Sequence, residues 1–276
     1  MSTAFLAEMA AGSRARVQQA RGNLRQAELE ARVRTLAPPP TLRLSAAGFD
    51  LIAELKLRSP ATGVLASGTD ALRERVSGYA QAGAAAVSVL TEPSRFDGTL
   101  AHLREAATIL APLQVPAMRK DFLVDPYQVL EARDAGAGGV LVILRMLTRA
   151  EIDALIECAH AHGLFVLLEA FDAADIEQLQ QVAAAHRNGV LLAGVNCRDL
   201  GTLHVVPRRL FELAPLLPSG LPRVAESGVT SAADAAALAA AGYELLLVGS
   251  ALMQGADPAA LAATLLAAGR QARGAS

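Results

Sequence analysis

Lysine is almost absent from this chain of 276 residues: among 25 lysines and arginines, only Lys56 and Lys120 are lysine. Arginine serves a solvated surface as well as lysine does, but it cannot readily give up its proton. A partly buried lysine can, because its pKa can be moved toward the working pH. The two survivors are therefore candidates for proton chemistry, the alternative being chance retention or a salt bridge that needs a compact ammonium. Other shortages exclude whole classes. The two cysteines, Cys158 and Cys197, match no metal-ligand or redox spacing, which rules out a disulfide scaffold and leaves unpaired thiols. No apolar run approaches a membrane span, and Glu8 sits where a signal peptide would keep its apolar core, so a cytoplasmic protein is expected. The net charge of −2 and the absence of a Lys/Arg run remove the electrostatic footprint of a nucleic-acid binder. The five histidines, His102, His160, His162, His186 and His204, are scattered and form no ligand set, so they are read as structural and no metal is expected.

What the chain does have is 53% hydrophobic residues sorted into short runs. LIAEL, AVSVL, VPAMR, GVLVIL, LFVLLE, VLLAGVN, PRVAE and ELLLVG alternate with alanine-rich stretches of helical period, each interval the size of one strand-and-helix unit. Gly83, Gly136, Gly163 and Gly242 stand where a helix should end and a strand begin, and glycine tolerates the left-handed conformation of such a turn. Near-continuous apolar strands separated by helices imply a parallel sheet covered by helices. Eight such units favour a (β/α)8 TIM barrel over the alternative, an open doubly wound sheet. Residues 1–48 stand outside this rhythm. They read as an N-terminal helical extension of one or two amphipathic helices, stopped by Pro38, Pro39 and Pro40 and packed on a barrel catalytic domain of residues 49–276.

In such barrels chemistry sits at the C-terminal ends of the strands. The first run ends in Glu54 and Lys56, two charges where apolar residues would be expected; side chains alternate along a strand, so both point to one face. Buried unpaired charge is costly, which places them at the barrel mouth, close enough to bias each other's ionisation. Lys120, Glu169, Asn196, and Glu226 with Ser227 end four further strands. An ion-pair network that only closes the barrel top is the plain alternative, and it weakens as such groups accumulate on five strand ends. ESGV and VGSAL follow the last two strands, where glycine-rich turns and a short helix N-terminus make a phosphate cup; Gly228, Gly249 and Ser250 are its candidate ligands. Neither lysine lies near these turns in sequence, so phosphate is expected to be held without lysine.

These segments resemble the indole-3-glycerol-phosphate synthase family of tryptophan biosynthesis. IAELKLRSPATG is similar to its first-strand motif, SVLTEPSRFDGTLAHL to its second-strand segment, RKDFLVDPYQVLEARDAGA to its third, GVNCRDLGTL to its sixth, and VAESGV and VGSALM to its phosphate-binding ends. The resemblance implies a TIM barrel with an N-terminal helical segment. It implies conversion of 1-(2-carboxyphenylamino)-1-deoxyribulose 5-phosphate to indole-3-glycerol phosphate, carbon dioxide and water, with no cofactor. The partner it implies is this small-molecule sugar-phosphate anthranilate substrate alone, with no nucleic acid and no membrane; the oligomeric state stays open, a monomer slightly favoured. Catalytic residues carry over to Glu54, Lys56, Lys120, Glu169, Asn196, Glu226 and Ser227, and substrate contacts to Ser59, Phe96, Phe122, Leu141, Arg198 and Leu200, although ordinary packing explains Phe96, Phe122 and Leu141 equally well from sequence. Ala61 and Cys197 depart from the commonest family pattern without removing a charged group. The alternatives are the sibling barrel phosphoribosylanthranilate isomerase, whose strand-one cysteine and strand-six aspartate are not found here, and a non-catalytic ligand-binding paralogue.

Overall fold

The structure, a computed structural model, describes the backbone of residues 2–56, 58–59, 63–64 and 69–274, and the side chains of residues 4–56 and 72–274. Ala61 and the side chain of Ser59 lie outside the described residues.

Eight strands follow the eight apolar runs: β1 (Asp50–Leu55), β2 (Ala86–Leu90), β3 (Ala117–Lys120), β4 (Gly139–Ile143), β5 (Phe165–Ala170), β6 (Leu191–Asn196), β7 (Arg223–Glu226) and β8 (Leu245–Val248). They close into a barrel in which each strand runs parallel to both neighbours, β1 pairing with β8 as well as β2. The fold is thus the expected (β/α)8 barrel, and the open sheet is excluded. Helices return the chain between strands, and their starts are written locally: Thr99, Asp125, Thr148, Asp172 and Ser231 each cap the first turn with a side-chain oxygen. Gly83, Gly136, Gly163 and Gly242 all adopt positive φ at the helix-to-strand turns, as their spacing predicts.

The strand period of two sorts side chains into two cores. Leu51, Ala53 and Leu55, with Val87, Val140, Val142, Val166, Leu168 and Val195, face outward and pack with the surrounding helices. Ile52, Ala86, Met118, Leu141, Phe165, Leu167, Leu192, Val224 and Leu245 form the separate cluster that fills the barrel interior. Among the described residues no helix is long and apolar enough to cross a membrane, and no group of three or more His, Cys, Asp or Glu side chains is placed to hold a metal ion.

The N-terminal segment forms two helices, α1 (Ser2–Asn23) and α2 (Gln26–Arg34). The second ends at Arg34, before the three prolines, because Thr35 turns its hydroxyl back onto the Arg32 carbonyl at 2.8 Å. Leu6, Met9, Ala10, Ser13 and Val17 make one buried stripe on α1. Leu6 and Met9 join the barrel-interior cluster at its mouth, beside Phe122. Arg16 Nη2 bonds Asp121 Oδ1 at 2.7 Å, and Tyr127 donates its hydroxyl to the Leu24 carbonyl at 2.8 Å, tying α1 to the β3 side of the barrel.

Candidate active site

Inside the barrel, two residues beyond the apolar filling, the same strand faces turn ionic. Ile52 is followed by Glu54 and Lys56, Met118 by Lys120, Leu167 by Glu169, Leu192 by Gly194 and Asn196, and Val224 by Glu226. Glu54 Oε1 and Lys56 Nζ lie 3.0 Å apart. Lys120 Nζ sits between two carboxylates, 3.0 Å from Glu169 Oε2 and 3.4 Å from Glu226 Oε2. Asn196 donates its amide to Glu169 Oε2 at 3.3 Å and accepts the Ser227 hydroxyl at 2.9 Å. Ser227 is one of few non-glycine residues at positive φ (70°), a strained conformation that this hydrogen bond helps to hold. All of these residues line one cavity of about 230 Å³ at the C-terminal ends of the strands.

Burial and pairing set the charges. Burial pushes Glu54 up, but the adjacent Lys56 and Lys120 outweigh it and hold the carboxylate below the usual range. Burial pulls Lys120 down, yet Glu169, Glu226 and Glu54 together raise it well above the ordinary lysine range. This corrects the expectation of a lysine moved toward working pH: Lys120 is an ammonium locked by carboxylates. Glu226 goes the other way, raised well above the usual carboxyl range by burial and by the charge of Glu169, which Lys120 offsets only in part.

The turns after β7 and β8 adjoin these groups. Gly228, Gly249 and Ser250 all line the cavity. The longer helix after β7, Ala232–Ala240, has its N-terminus satisfied from within, by Ser231 and by Asp234, which accepts from the Thr230 and Ser231 amides. The short helix Ser250–Gln254 starts at Gly249 with no side-chain cap, so the amides facing the cavity belong to the β8 turn. One sequence expectation needs correcting here. Lys56 Nζ reaches Ser250 Oγ at 3.3 Å, so a lysine does stand at this wall despite its distance in sequence. Gly249 also lies against the pair at the end of β1: a Cβ on it would lie 2.3 Å from Glu54 Oε1, the oxygen that grips Lys56.

A barrel with two carboxylate-paired lysines in a cavity that glycine-rich turns also line narrows the family, and comparison with known proteins completes the step. The profile of the indole-3-glycerol phosphate synthase family matches residues 6–265. The chain belongs to the indole-3-glycerol phosphate synthase family. Among its relatives is the indole-3-glycerol phosphate synthase of Kineococcus radiotolerans, 42% identical over 80% of this chain and 77% of that one. That of Mycolicibacterium gilvum is 38% identical over 97% of this chain and 96% of its own. Solved structures at far lower identity share the fold: 3-hexulose-6-phosphate synthase from Salmonella typhimurium (TM-score 0.60, 15% identity, 81% of this chain and 100% of that one) and thiamine phosphate pyrophosphorylase from Pyrococcus furiosus (TM-score 0.59, 14% identity, 82% and 98%). Membership sets aside the sibling isomerase.

The substrate contacts implied by the indole-3-glycerol phosphate synthase resemblance also converge, with Ser59 described only as backbone of a two-stranded hairpin after β1. Phe96, Phe122, Leu141, Arg198 and Leu200 line the same cavity. Phe96 and Phe122 stack at a tilt, ring centroids 6.3 Å apart. Arg198 is held by its amide on Asn196 Oδ1 at 2.9 Å and by its guanidinium on the Leu203 carbonyl at 2.8 Å, which folds the loop after β6 over the mouth. Cys197 is fully buried beneath that loop, its thiol on the Ser227 carbonyl at 3.4 Å, and burial pushes its pKa up. It packs; it does not face the cavity.

Sequence reasoning missed Phe5, which comes from α1, lines the cavity and meets Phe122 edge-on at 5.9 Å. The apolar stripe of α1 was readable; which wall it covers was not. It missed Asp121 too. This buried carboxylate accepts from Arg16, the Thr91 hydroxyl, Arg119 and the Phe122 amide. Its position next to Lys120 in RKDF was the available signal.

Proposed function

We propose that this protein converts 1-(2-carboxyphenylamino)-1-deoxyribulose 5-phosphate to indole-3-glycerol phosphate, carbon dioxide and water, in the cytoplasm and as part of tryptophan supply. The observation that carries this reading is the pair of lysines at the ends of β1 and β3, Lys56 held by Glu54 and Lys120 by Glu169 and Glu226, in one cavity that the glycine-rich turns also line. The substrate's phosphate goes to Gly228, Gly249 and Ser250, with Lys56 close by. Its aromatic ring goes between Phe96, Phe122 and Leu141, under Arg198, Leu200 and the hairpin that carries Ser59.

Ring closure joins the ring carbon bearing the carboxylate to the ketone carbon, and the carbonyl π pair becomes an alkoxide that must be protonated. Lys120 is assigned as that acid. The carbon–carboxylate bond then breaks, its electron pair restores the aromatic ring, and carbon dioxide leaves. The new hydroxyl departs as water on a proton from Lys56, which Glu54 orients, and Glu169 takes the last ring-system proton. Asn196 and Ser227 orient the substrate's hydroxyls and amine. No electron leaves or enters the substrate, so acids, a base and a shaped cavity suffice for the chemistry.

The test is complementation of a tryptophan auxotroph that lacks the synthase. The wild-type gene should restore growth and the Lys120→Met variant should not. Failure of a well-expressed wild-type chain to support growth would count against the assignment.

A further inference from the structure

The barrel interior holds more acids than bases. Glu54, Glu169 and Glu226 face it, against Lys56 and Lys120. Glu54 is taken up by Lys56 at 3.0 Å, so Lys120 alone faces the other two carboxyls. If all three acids were ionised, Lys120 would face two buried carboxylates and leave one without a cation of its own, since Arg198, the other cation lining the cavity, lies on the loop after β6 with its guanidinium on the Leu203 carbonyl; proteins relieve such a charge by taking up a proton.

Hydrogen bonding singles out which acid carries it. Glu169 Oε2 receives both Lys120 and the Asn196 amide. Glu226 Oε2 receives Lys120 at the longer distance of 3.4 Å, and Glu226 Oε1 is buried with no hydrogen-bond partner among the described residues. The neighbours of Glu226 on both flanking strands bring no donor to that oxygen. On β8 its register partner is Leu247; on β6, Gly194 leaves the space it occupies, since a Cβ there would stand 2.3 Å from Oε1. Asn196, its partner in register on β6, turns its amide to Glu169 and its carbonyl oxygen to Ser227 and Arg198. From β1, Glu54 and Lys56 are engaged with each other, and the Arg198 guanidinium is engaged by the Leu203 carbonyl. A buried carboxylate oxygen with no donor is costly, whereas a carboxylic acid beside an acceptor is satisfied. The acceptor at hand is Glu169, whose Oε2 shares the Lys120 ammonium with Glu226 Oε2, at 3.0 and 3.4 Å.

We propose that Glu226 rests as the neutral carboxylic acid and hydrogen-bonds through its proton to Glu169, so that two carboxyls beside Lys120 share one proton. The upward displacement of Glu226 by burial and by Glu169 agrees with this. The inference rests on the proposed reaction for its use in turnover, and there it closes the proton count. Lys120 gives its proton to the alkoxide formed from the ketone, its N–H bond breaking as the substrate O–H forms. The Glu226 O–H then breaks and the Lys120 N–H is restored, leaving both carboxyls ionised. The ring-system proton removed after dehydration returns one proton to the pair. Lys56 gives the proton that leaves in water and is recharged from solvent, which supplies the single proton consumed when a carboxylate substrate releases neutral carbon dioxide. Glu226 thereby becomes a proton carrier in place of a residue that only orients substrate.

The test is a 13C NMR titration of the full-length protein labelled at the glutamate side-chain carboxyl carbon, with the Glu226 resonance assigned by its loss in Glu226→Gln. Glu226 should remain protonated well above about pH 4.3, where an unperturbed glutamate ionises. Titration of Glu226 at that unperturbed value would overturn the shared proton. Should Glu226→Gln fail to fold, Glu169→Gln serves: loss of the acceptor and its charge should bring the raised Glu226 titration down, and an unmoved titration would overturn the pairing. In turnover, Glu226→Gln should keep KM nearly unchanged and lower kcat by about a hundredfold or more, the scale of a lost acid–base group. An unchanged kcat would overturn the relay. The titration reads the resting protein, so it decides the shared proton whether or not the wild-type chain forms indole product; absence of product contradicts the proposed reaction alone.

Discussion

The interior of this barrel has two storeys built on the same strands. The lower is filled by Ile52, Met118, Phe165, Leu167, Leu192 and Val224; the upper, two or four residues farther along the same strands, holds Glu54, Lys120, Glu169, Asn196 and Glu226. Both are buried and both are shaped by the same period-two geometry. They differ in what burial does. In the lower storey it stabilises, since removing apolar area from water is the dominant favourable contribution to folding. In the upper storey burial opposes ionisation, and the ion pairs only offset that cost. The charged layer is therefore poorly explained by stability. It makes sense as a set of acids and bases kept out of water, where their mutual fields are strong enough to hold Lys120 charged and Glu226 neutral side by side.

The contrast can be broken most sharply at the lysines. Lys120→Arg keeps a cation between Glu169 and Glu226, so the fold should survive while kcat falls by roughly 10²–10⁴-fold, as expected for a lost general acid. Lys56→Arg should cost about a hundredfold and release carbon dioxide without matching indole product. Near-full activity of both would reduce the upper storey to a set of electrostatic anchors. A smaller loss is expected at Gly249→Ala, because the new methyl meets Glu54 at 2.3 Å and shifts the carboxylate that orients Lys56. Turnover should drop by roughly 10- to 100-fold. Gly220→Ala, where nothing lies within 4 Å, is the silent control. The lower storey should answer in the other currency: Met118→Ala should lower unfolding free energy by about 2–5 kcal/mol in denaturant titrations while leaving kcat of the folded protein nearly intact.

The smallest effect concerns pH. Glu226 has a folded-state pKa above its unfolded value, so the stability it contributes is fully present below about pH 4 and is lost as pH rises through the raised value. Gln cannot ionise and escapes that loss. The Tm of Glu226→Gln relative to wild type should therefore climb from acid toward neutral pH; a flat difference would mean that Glu226 ionises normally.

Much of this division was readable beforehand. The eight apolar runs, the four glycines at positive φ and the charges at strand ends all follow local rules, period two in strands and left-handed turns at helix ends, and all eight strands stand where those rules place them. Features set by distant pairs were not readable. Phe5 enters the cavity only because α1 crosses the mouth, held by Arg16 on Asp121, a pair 105 residues apart. Lys56 meets Ser250 only because closure of the barrel places β1 beside β8. The direction of the Lys120 shift was lost for the same reason, since it depends on Glu169 and Glu226 arriving from two other strands.

The most direct test of the central claim is a stoichiometric assay on the purified protein. With 1-(2-carboxyphenylamino)-1-deoxyribulose 5-phosphate as substrate, indole fluorescence and released carbon dioxide would be followed together. Wild type should form the two products one for one, and Lys120→Arg should lose both in parallel, because ring closure precedes decarboxylation. No indole product from wild type, or undiminished formation of both products by Lys120→Arg, would contradict the account of the upper storey as the reaction's acids and bases.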